Sequence, residues 1–135
     1  MSNRVVLDSS ALVEFLRSTA TGRAVDRAID DGDSLHLPDL CSTETINTLR
    51  GLVRGRKMTP RDATLVVAEL LEFPADIHPC DHMLDRMWVL RHNLSAYDAA
   101  YVALCEALDA KLVTADRRLA RGARGVSDVR VVTVS

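Results

Sequence analysis

Short apolar runs alternate with longer stretches of helical period along this chain. Val5-Val6-Leu7, preceded by Arg4, is too brief an apolar run for a helix and reads as a buried strand. Ser9 or Ser10 is placed to cap a helix running through Leu16. A second helix is expected from Gly22 to Asp31, ending at the turn Asp31-Gly32-Asp33. Ser34-Leu35-His36-Leu37 reads as a second strand stopped by Pro38. Asp39 is the expected cap of a helix carrying Leu40, Ile46, Leu49 and Val53, which ends at Gly55. Thr59-Pro60 opens another helix, with proline at the first helical position, whose apolar residues run from Leu65 to Leu71. Ala75 to His78 is a weaker strand, and Asp81 to Arg91 is a helix. The strongest helical pattern spans Ser95 to Leu108. Lys111 to Thr114 is a strand, a short helix follows over Arg117 to Arg121, and Val129 to Val134 is a last strand.

Strands separated by helices imply an α/β architecture: a mostly parallel central sheet of about five strands, covered by helices on both faces in three layers. Residues 1–135 are expected to form one domain, since no linker or repeat divides them. With 47% hydrophobic residues and 27% charged, the chain reads as globular rather than disordered. Only 4% is aromatic, so Leu, Val, Ile and Ala must fill the core. No apolar run approaches a membrane span. The run Val5 to Leu7 meets Asp8 at once, too soon for a secretion signal, so a cytoplasmic location is expected. Cys41, Cys80 and Cys105 are odd in number and widely spaced, which favours free thiols.

In an open parallel sheet, ligands bind beyond the carboxyl ends of the strands. Asp8 directly follows the first strand, and Asp116 follows the Leu112-Val113 strand after Thr114-Ala115. Glu44 and Asp98 lie in the first turns of the helices that begin near Asp39 and Ser95. If these helix starts point to the same edge, four carboxylates converge and repel one another, a conflict that a divalent cation relieves. Oxygen ligands without His or Cys favour Mg²⁺ or Mn²⁺ over zinc. Each acid also has a structural use. Ser95-Ala96-Tyr97-Asp98 has the form of a capping box, Asp116 suits a helix cap, and Glu44 suits the positive end of a helix. Asp8 has the fewest such uses.

Taken in order and spacing, Val5-Val6-Leu7-Asp8-Ser9-Ser10-Ala11-Leu12, Thr43-Glu44, Tyr97-Asp98-Ala99-Ala100-Tyr101-Val102-Ala103-Leu104 and Leu112-Val113-Thr114-Ala115-Asp116-Arg117-Arg118-Leu119 resemble the PIN-domain family. Within it the likeness is to VapC-type toxins of bacterial toxin–antitoxin pairs, over essentially the whole chain. The resemblance implies a PIN-like fold and a metal pocket of Asp8, Glu44, Asp98 and Asp116. Ser10 and Thr114 would orient carboxylates or water. It further implies endonucleolytic cleavage of RNA by a metal-activated water, leaving 5′-phosphate and 3′-hydroxyl ends. A VapB-type antitoxin partner, whose C-terminal segment occupies the groove, and a homodimer follow from the same likeness. Some relatives carry a further Asp or Asn shortly after the last acid; here Arg117, Arg118 and Leu119 follow, which puts a second metal in doubt.

The net charge is −2, yet fifteen of the seventeen basic residues are arginine and several cluster. Arg117 and Arg118, with Arg121 and Arg124, are expected to meet RNA phosphates, as are Arg50, Arg54, Arg56 and Lys57. His78-Pro79-Cys80-Asp81-His82 packs zinc-type ligands together but has no partner pair elsewhere. Leu84, Met87, Trp88 and Leu94 are expected to be core, while Leu52, Val53, Leu65 and Val66 suit core or interface. A receiver domain would want an acidic pair at the first strand, and a haloacid-type phosphatase would want DxD where Asp8-Ser9-Ser10 stands. A catalytically idle RNA-binding module remains the non-enzymatic alternative.

Overall fold

The computed structural model describes residues 3–135. Five strands form one sheet: β1 (Arg4–Leu7), β2 (Ser34–Pro38), β3 (Asp76–His78), β4 (Lys111–Thr114) and β5 (Val131–Thr133). Their order is β3-β2-β1-β4-β5, and every neighbouring pair is parallel. Val6 stands opposite His36 on one side and Leu112 on the other, so β1 is the central strand. Helices cover both of its faces, which is why Val5, Val6 and Leu7 are all fully buried with no polar alternation.

Seven helices join the strands: α1 (Ser9–Arg17), α2 (Ala20–Arg27), α3 (Leu40–Arg54), α4 (Pro60–Leu71), α5 (Leu84–Val89), α6 (Ala96–Leu108) and α7 (Arg117–Val126). The chain moves from β1 through β2 to β3 in one direction, then returns past β1 to β4 and β5. Right-handed crossovers therefore put α1–α4 on one face and α5–α7 on the other. All residues from Asp98 to Cys105 in α6 are buried, as expected for a helix packed across β1, β2 and β4. The reversal of direction makes the gap between β1 and β4 the switch point of the sheet, where such folds bind ligands.

Several local expectations are corrected. Asp8, not Ser9 or Ser10, caps α1, because its carboxylate accepts the Ala11 N–H at 2.9 Å. Thr19 caps α2, which thus starts before Gly22 and ends by Arg27. Asp39 precedes α3 without a side-chain cap bond; its carboxylate reaches across to the Cys80 N–H at 3.2 Å. Pro38 is itself the last residue of β2, paired with His78, so the strand ends at the proline rather than before it. The expected helix Asp81 to Arg91 is a short α5 flanked by 3₁₀ turns, since Met83 (φ −125°, ψ 7°) leaves helical geometry. α7 runs past Gly122 to Val126 because Leu119, Ala120 and Ala123 are buried. β5 is shorter than the apolar run around it.

The expected core role fails for two side chains. Leu84 is 53% exposed and Trp88 is 66% exposed, with the Arg91 guanidinium 4.2 Å from the indole centroid. The brevity of α5 leaves these residues outside the face that packs on α6, while Leu94 is buried. Val66 joins the core and Leu65 does not. All three cysteines are free. Among the described residues, no helix is long and apolar enough to cross a membrane.

Candidate functional site

The parallel topology decides which ends meet. Asp8 leaves the carboxyl end of β1, and Asp116 lies two residues beyond β4, the adjacent strand. α3 starts after β2 at that same edge, so Glu44 lies near its start. α6 runs back toward the beginning of β4, which brings its first turn, with Asp98, to the carboxyl edge as well.

Asp8 is the most buried of the four acids, at 3% exposure. Its Oδ1 accepts from Ala11 N–H at 2.9 Å and from the Ser10 hydroxyl at 2.7 Å. Its Oδ2 accepts from the Thr114 hydroxyl at 2.7 Å. Burial pushes the carboxyl from its ordinary 3.8 up to about 6, against the lowering effect of Ala11, Thr114 and Ser10; the charge on Asp116 adds to the rise. Ser10 and Thr114 tie Asp8 to β4: the Ser10 hydroxyl accepts from Ala115 N–H at 3.1 Å, and that of Thr114 from Asp116 N–H at 2.9 Å.

Asp116 caps α7, its Oδ1 accepting from the N–H groups of Arg118 at 2.9 Å and Leu119 at 3.2 Å. Asp98 sits behind Ser95, whose hydroxyl accepts the Asp98 N–H at 3.1 Å. The Asp98 carboxyl is raised by burial and by Asp116, and held down in part by Arg118 and Ser95. Its Oδ2 is buried without a hydrogen-bond partner. The Arg118 guanidinium stands 3.1 Å from that oxygen and 3.6 Å from Asp116 Oδ2. The first contact is one of charge rather than an aligned hydrogen bond.

Glu44 is held from another direction. The buried Tyr101 hydroxyl donates to its Oε1 at 2.5 Å. Burial first, then neighbouring Cys41 and Glu44, push the Tyr101 hydroxyl far above its ordinary pKa, so it remains a donor. Tyr101 lies one turn after Asp98 on α6. The sequence signal for its role is that a buried tyrosine needs a partner for its hydroxyl.

Like charges resist crowding, and the structure gives these carboxylates three different sets of partners. Asp8 has two hydroxyls and an N–H, Asp98 and Asp116 share Arg118, and Glu44 has Tyr101. Among the described residues, no three His, Cys, Asp or Glu side chains stand close enough together to hold one ion, at this edge or around His78, Cys80 and His82. The donor chemistry nevertheless fits a hard divalent cation: the oxygens are all carboxylate, one is buried and orphaned, and a positive charge already rests against it.

The arginines divide. Arg117 and Arg118 are exposed beside the acids. Arg124 is drawn away, its guanidinium donating to Val131 O at 3.1 Å and Thr133 Oγ1 at 3.2 Å. Arg50, Arg54, Arg56 and Lys57 lie at the far end of α3, away from the edge where it starts. A cleft of about 720 Å³ also opens at the opposite edge of the sheet, near the starts of β1 and β4. There Arg86 and Glu106 pair in two contacts of 2.6 and 2.9 Å.

Residues 5–125 match the family model described as PIN domain. Ribonuclease VapC9 of Mycobacterium tuberculosis is 34% identical over 128 residues, covering 95% of this chain and 98% of that protein. Ribonuclease VapC3 of Pyrobaculum aerophilum is 32% identical over 121 residues, covering 87% and 92%. The crystal structure of VapBC2 from Rickettsia felis, bound to a DNA fragment from their promoter, contains a chain of like fold. Its TM-score is 0.69 at 10% identity, covering 98% of this chain and 99% of that one.

Proposed function

Because the chain belongs to the PIN-domain family, we propose that it is a VapC-type endoribonuclease, the toxin of a toxin–antitoxin pair, acting through Asp8, Glu44, Asp98 and Asp116 with Mg²⁺ or Mn²⁺. The observation that carries the reading is the linked acid group at the switch point of a chain that is 34% identical to a named ribonuclease over nearly its full length. The charge of Asp116 is felt there by both Asp8 and Asp98.

A divalent cation bound to these acids supplies Lewis acidity: it lowers the pKa of water and offsets charge on the phosphoryl oxygens. The protein's own residues prepare for this. Ser10, Thr114 and the Ala11 N–H fix both oxygens of Asp8, so the carboxylate does not need to reorganise. Helix capping aligns Asp116, and Tyr101 holds Glu44. Asp98 presents an oxygen that accepts no aligned hydrogen bond and is faced by the Arg118 guanidinium. Exposed Arg117 and Arg118 are suited to phosphate contacts, which carry affinity rather than sequence information. With water as the attacking group, the 2′-hydroxyl of RNA takes no part in the reaction.

The partners in this reading are RNA, a VapB-type antitoxin and a second copy of the chain. Exposed Leu84, Trp88 and Val89 on α5 offer apolar surface for one of the protein contacts.

Cleavage of cellular RNA by the purified chain tests the proposal. Cutting is expected with Mg²⁺ or Mn²⁺, to stop with a chelator, and to be lost in Asp98→Asn with an unchanged circular dichroism spectrum. The new ends should carry 5′-phosphates. Undiminished cleavage by Asp98→Asn, or in chelator, refutes the assignment.

A further inference from the structure

Arg118 occupies an unusual position for a residue expected to meet substrate. Its main-chain N–H is spent on Asp116 Oδ1 at 2.9 Å, which pins the residue in the first turn of α7. Its side chain is 68% exposed, yet the guanidinium reaches inward to Asp98, whose side chain is only 11% exposed. The two carboxylate oxygens it touches, Asp98 Oδ2 and Asp116 Oδ2, belong to different elements, and neither accepts a hydrogen bond from another group. One positive charge thus bridges two carboxylates of like charge on different elements.

We propose that Arg118 is a built-in counter-cation that competes with divalent metal for Asp98 and Asp116, and that metal binding releases it toward solvent, where it can take a substrate phosphate. This rests on the reading above that these acids hold a metal. The competition follows from identity of site and sign: a metal ion using either oxygen meets a like charge already there. The strength of the contact suits a placeholder. A largely exposed ion pair contributes about 0–1 kcal/mol, enough to offset carboxylate repulsion but too little to exclude a divalent ion. Arg117, its exposed neighbour, makes no such contact and serves as the control.

Coupling of this kind is reciprocal. If metal frees Arg118 for phosphate, phosphate on Arg118 favours metal by the same factor, so metal and RNA reinforce each other's binding. Arg118 would then act as a positioning residue whose two partners are used in turn.

Mn²⁺ titration of the full chain, followed by calorimetry and by the electron paramagnetic resonance of free Mn²⁺, tests this without reference to activity. Arg118→Ala is expected to bind Mn²⁺ about two- to fivefold more tightly than the unaltered chain, the upper part of the range an exposed ion pair allows. Arg117→Ala is expected to match the unaltered chain. Thermal melts of both variants check that the fold persists. Equal or weaker Mn²⁺ binding by Arg118→Ala overturns the inference while leaving the metal reading in place. Absence of Mn²⁺ binding in all three proteins sinks the metal reading, and the inference with it. Equal tightening by Arg117→Ala would show a diffuse charge effect and also overturn a specific role.

Discussion

Removing the charge of Asp8 is expected to make this protein more stable at neutral pH, although it should destroy activity. Asp8 is 3% exposed, and burial lifts its carboxyl from the ordinary 3.8 to about 6. At about 1.4 kcal/mol per tenfold change in proton affinity, ionised Asp8 costs the folded state about 3 kcal/mol at pH 7.5. The sign is that of a raised pKa. Below 3.8 the group is protonated in both states and carries no penalty, and stability falls as pH rises through about 6. Asp8→Asn removes that dependence. The amide oxygen can keep the Ala11 N–H, now bonded at 2.9 Å, and the amide nitrogen then faces the Thr114 hydroxyl. That hydroxyl already accepts from Asp116 N–H but has a second lone pair to offer. Exchanging these bonds costs about 1 kcal/mol.

The variant should therefore exceed the unaltered chain by about 2 kcal/mol at pH 7.5, or roughly 5–10 °C in Tm for a chain of this size. Near pH 4 it should fall slightly below. Urea denaturation or thermal melts of both proteins from pH 4.5 to 7.5, in chelator, measure the gap, and groups that titrate alike in both cancel. Adding Mn²⁺ should raise the Tm of the unaltered chain more than that of Asp8→Asn, because binding to the folded state alone is stabilising. A gap that does not change with pH, or a less stable variant at pH 7.5, would refute the account of Asp8 as a strained ionised group.

Tyr101→Phe should lower stability by about 1–2 kcal/mol, the value of a hydrogen bond to a partly hydrated carboxylate. It should also cut RNA cleavage by about tenfold through loss of Glu44's anchor; wild-type rates and stability together would remove Tyr101 from the site. Gly22→Ala should destabilise by about 2–3 kcal/mol despite alanine's better helix propensity. A Cβ there would lie only 2.1 Å from Glu14 O, where α2 crosses α1. Urea denaturation reads the sign, and any gain in stability refutes that close crossing.

The elements legible in the sequence were those whose local pattern and tertiary setting agree. β1 and β4 are apolar runs closed by an acid, and α6 is apolar all round because it crosses the sheet centre. Where the two levels diverge, the pattern misleads. Trp88 and Leu84 have helical spacing, but the irregular turn at Met83 leaves them outside the packed face. The helix expected over Arg117 to Arg121 continues through Gly122, which lets α7 pass against Leu94, where a Cβ would come within 2.7 Å of Cδ2. Within the candidate site, the placement of Asp8 and Asp116 at the carboxyl edge could be read ahead, while their being neighbours follows from the pairing of β1 with β4, which was not legible in the sequence. The attachments of Glu44 to Tyr101 and of Arg118 to Asp98 are fixed by side-chain directions between α6, α3 and α7, which no one-dimensional spacing encodes.

The structural uses of these acids are compatible with the functional one proposed for them. In Asp116 one oxygen, Oδ1, takes the two N–H groups of its helix, and Oδ2 is left facing Arg118. In Asp8, Oδ1 takes the Ala11 N–H and Oδ2 faces Thr114, which leads directly to Asp116 N–H. Capping a helix thus fixes the rotation of each carboxylate and leaves its second oxygen to a side-chain partner, Thr114 for Asp8 and Arg118 for Asp116. A helix cap is normally satisfied by any of Ser, Thr, Asp or Asn. Asn at Asp8 or Asp116 can therefore preserve the helix and its entry angle while deleting only the charge. This is why substitution by Asn separates folding from chemistry here more cleanly than substitution by Ala, which would remove the cap along with the charge.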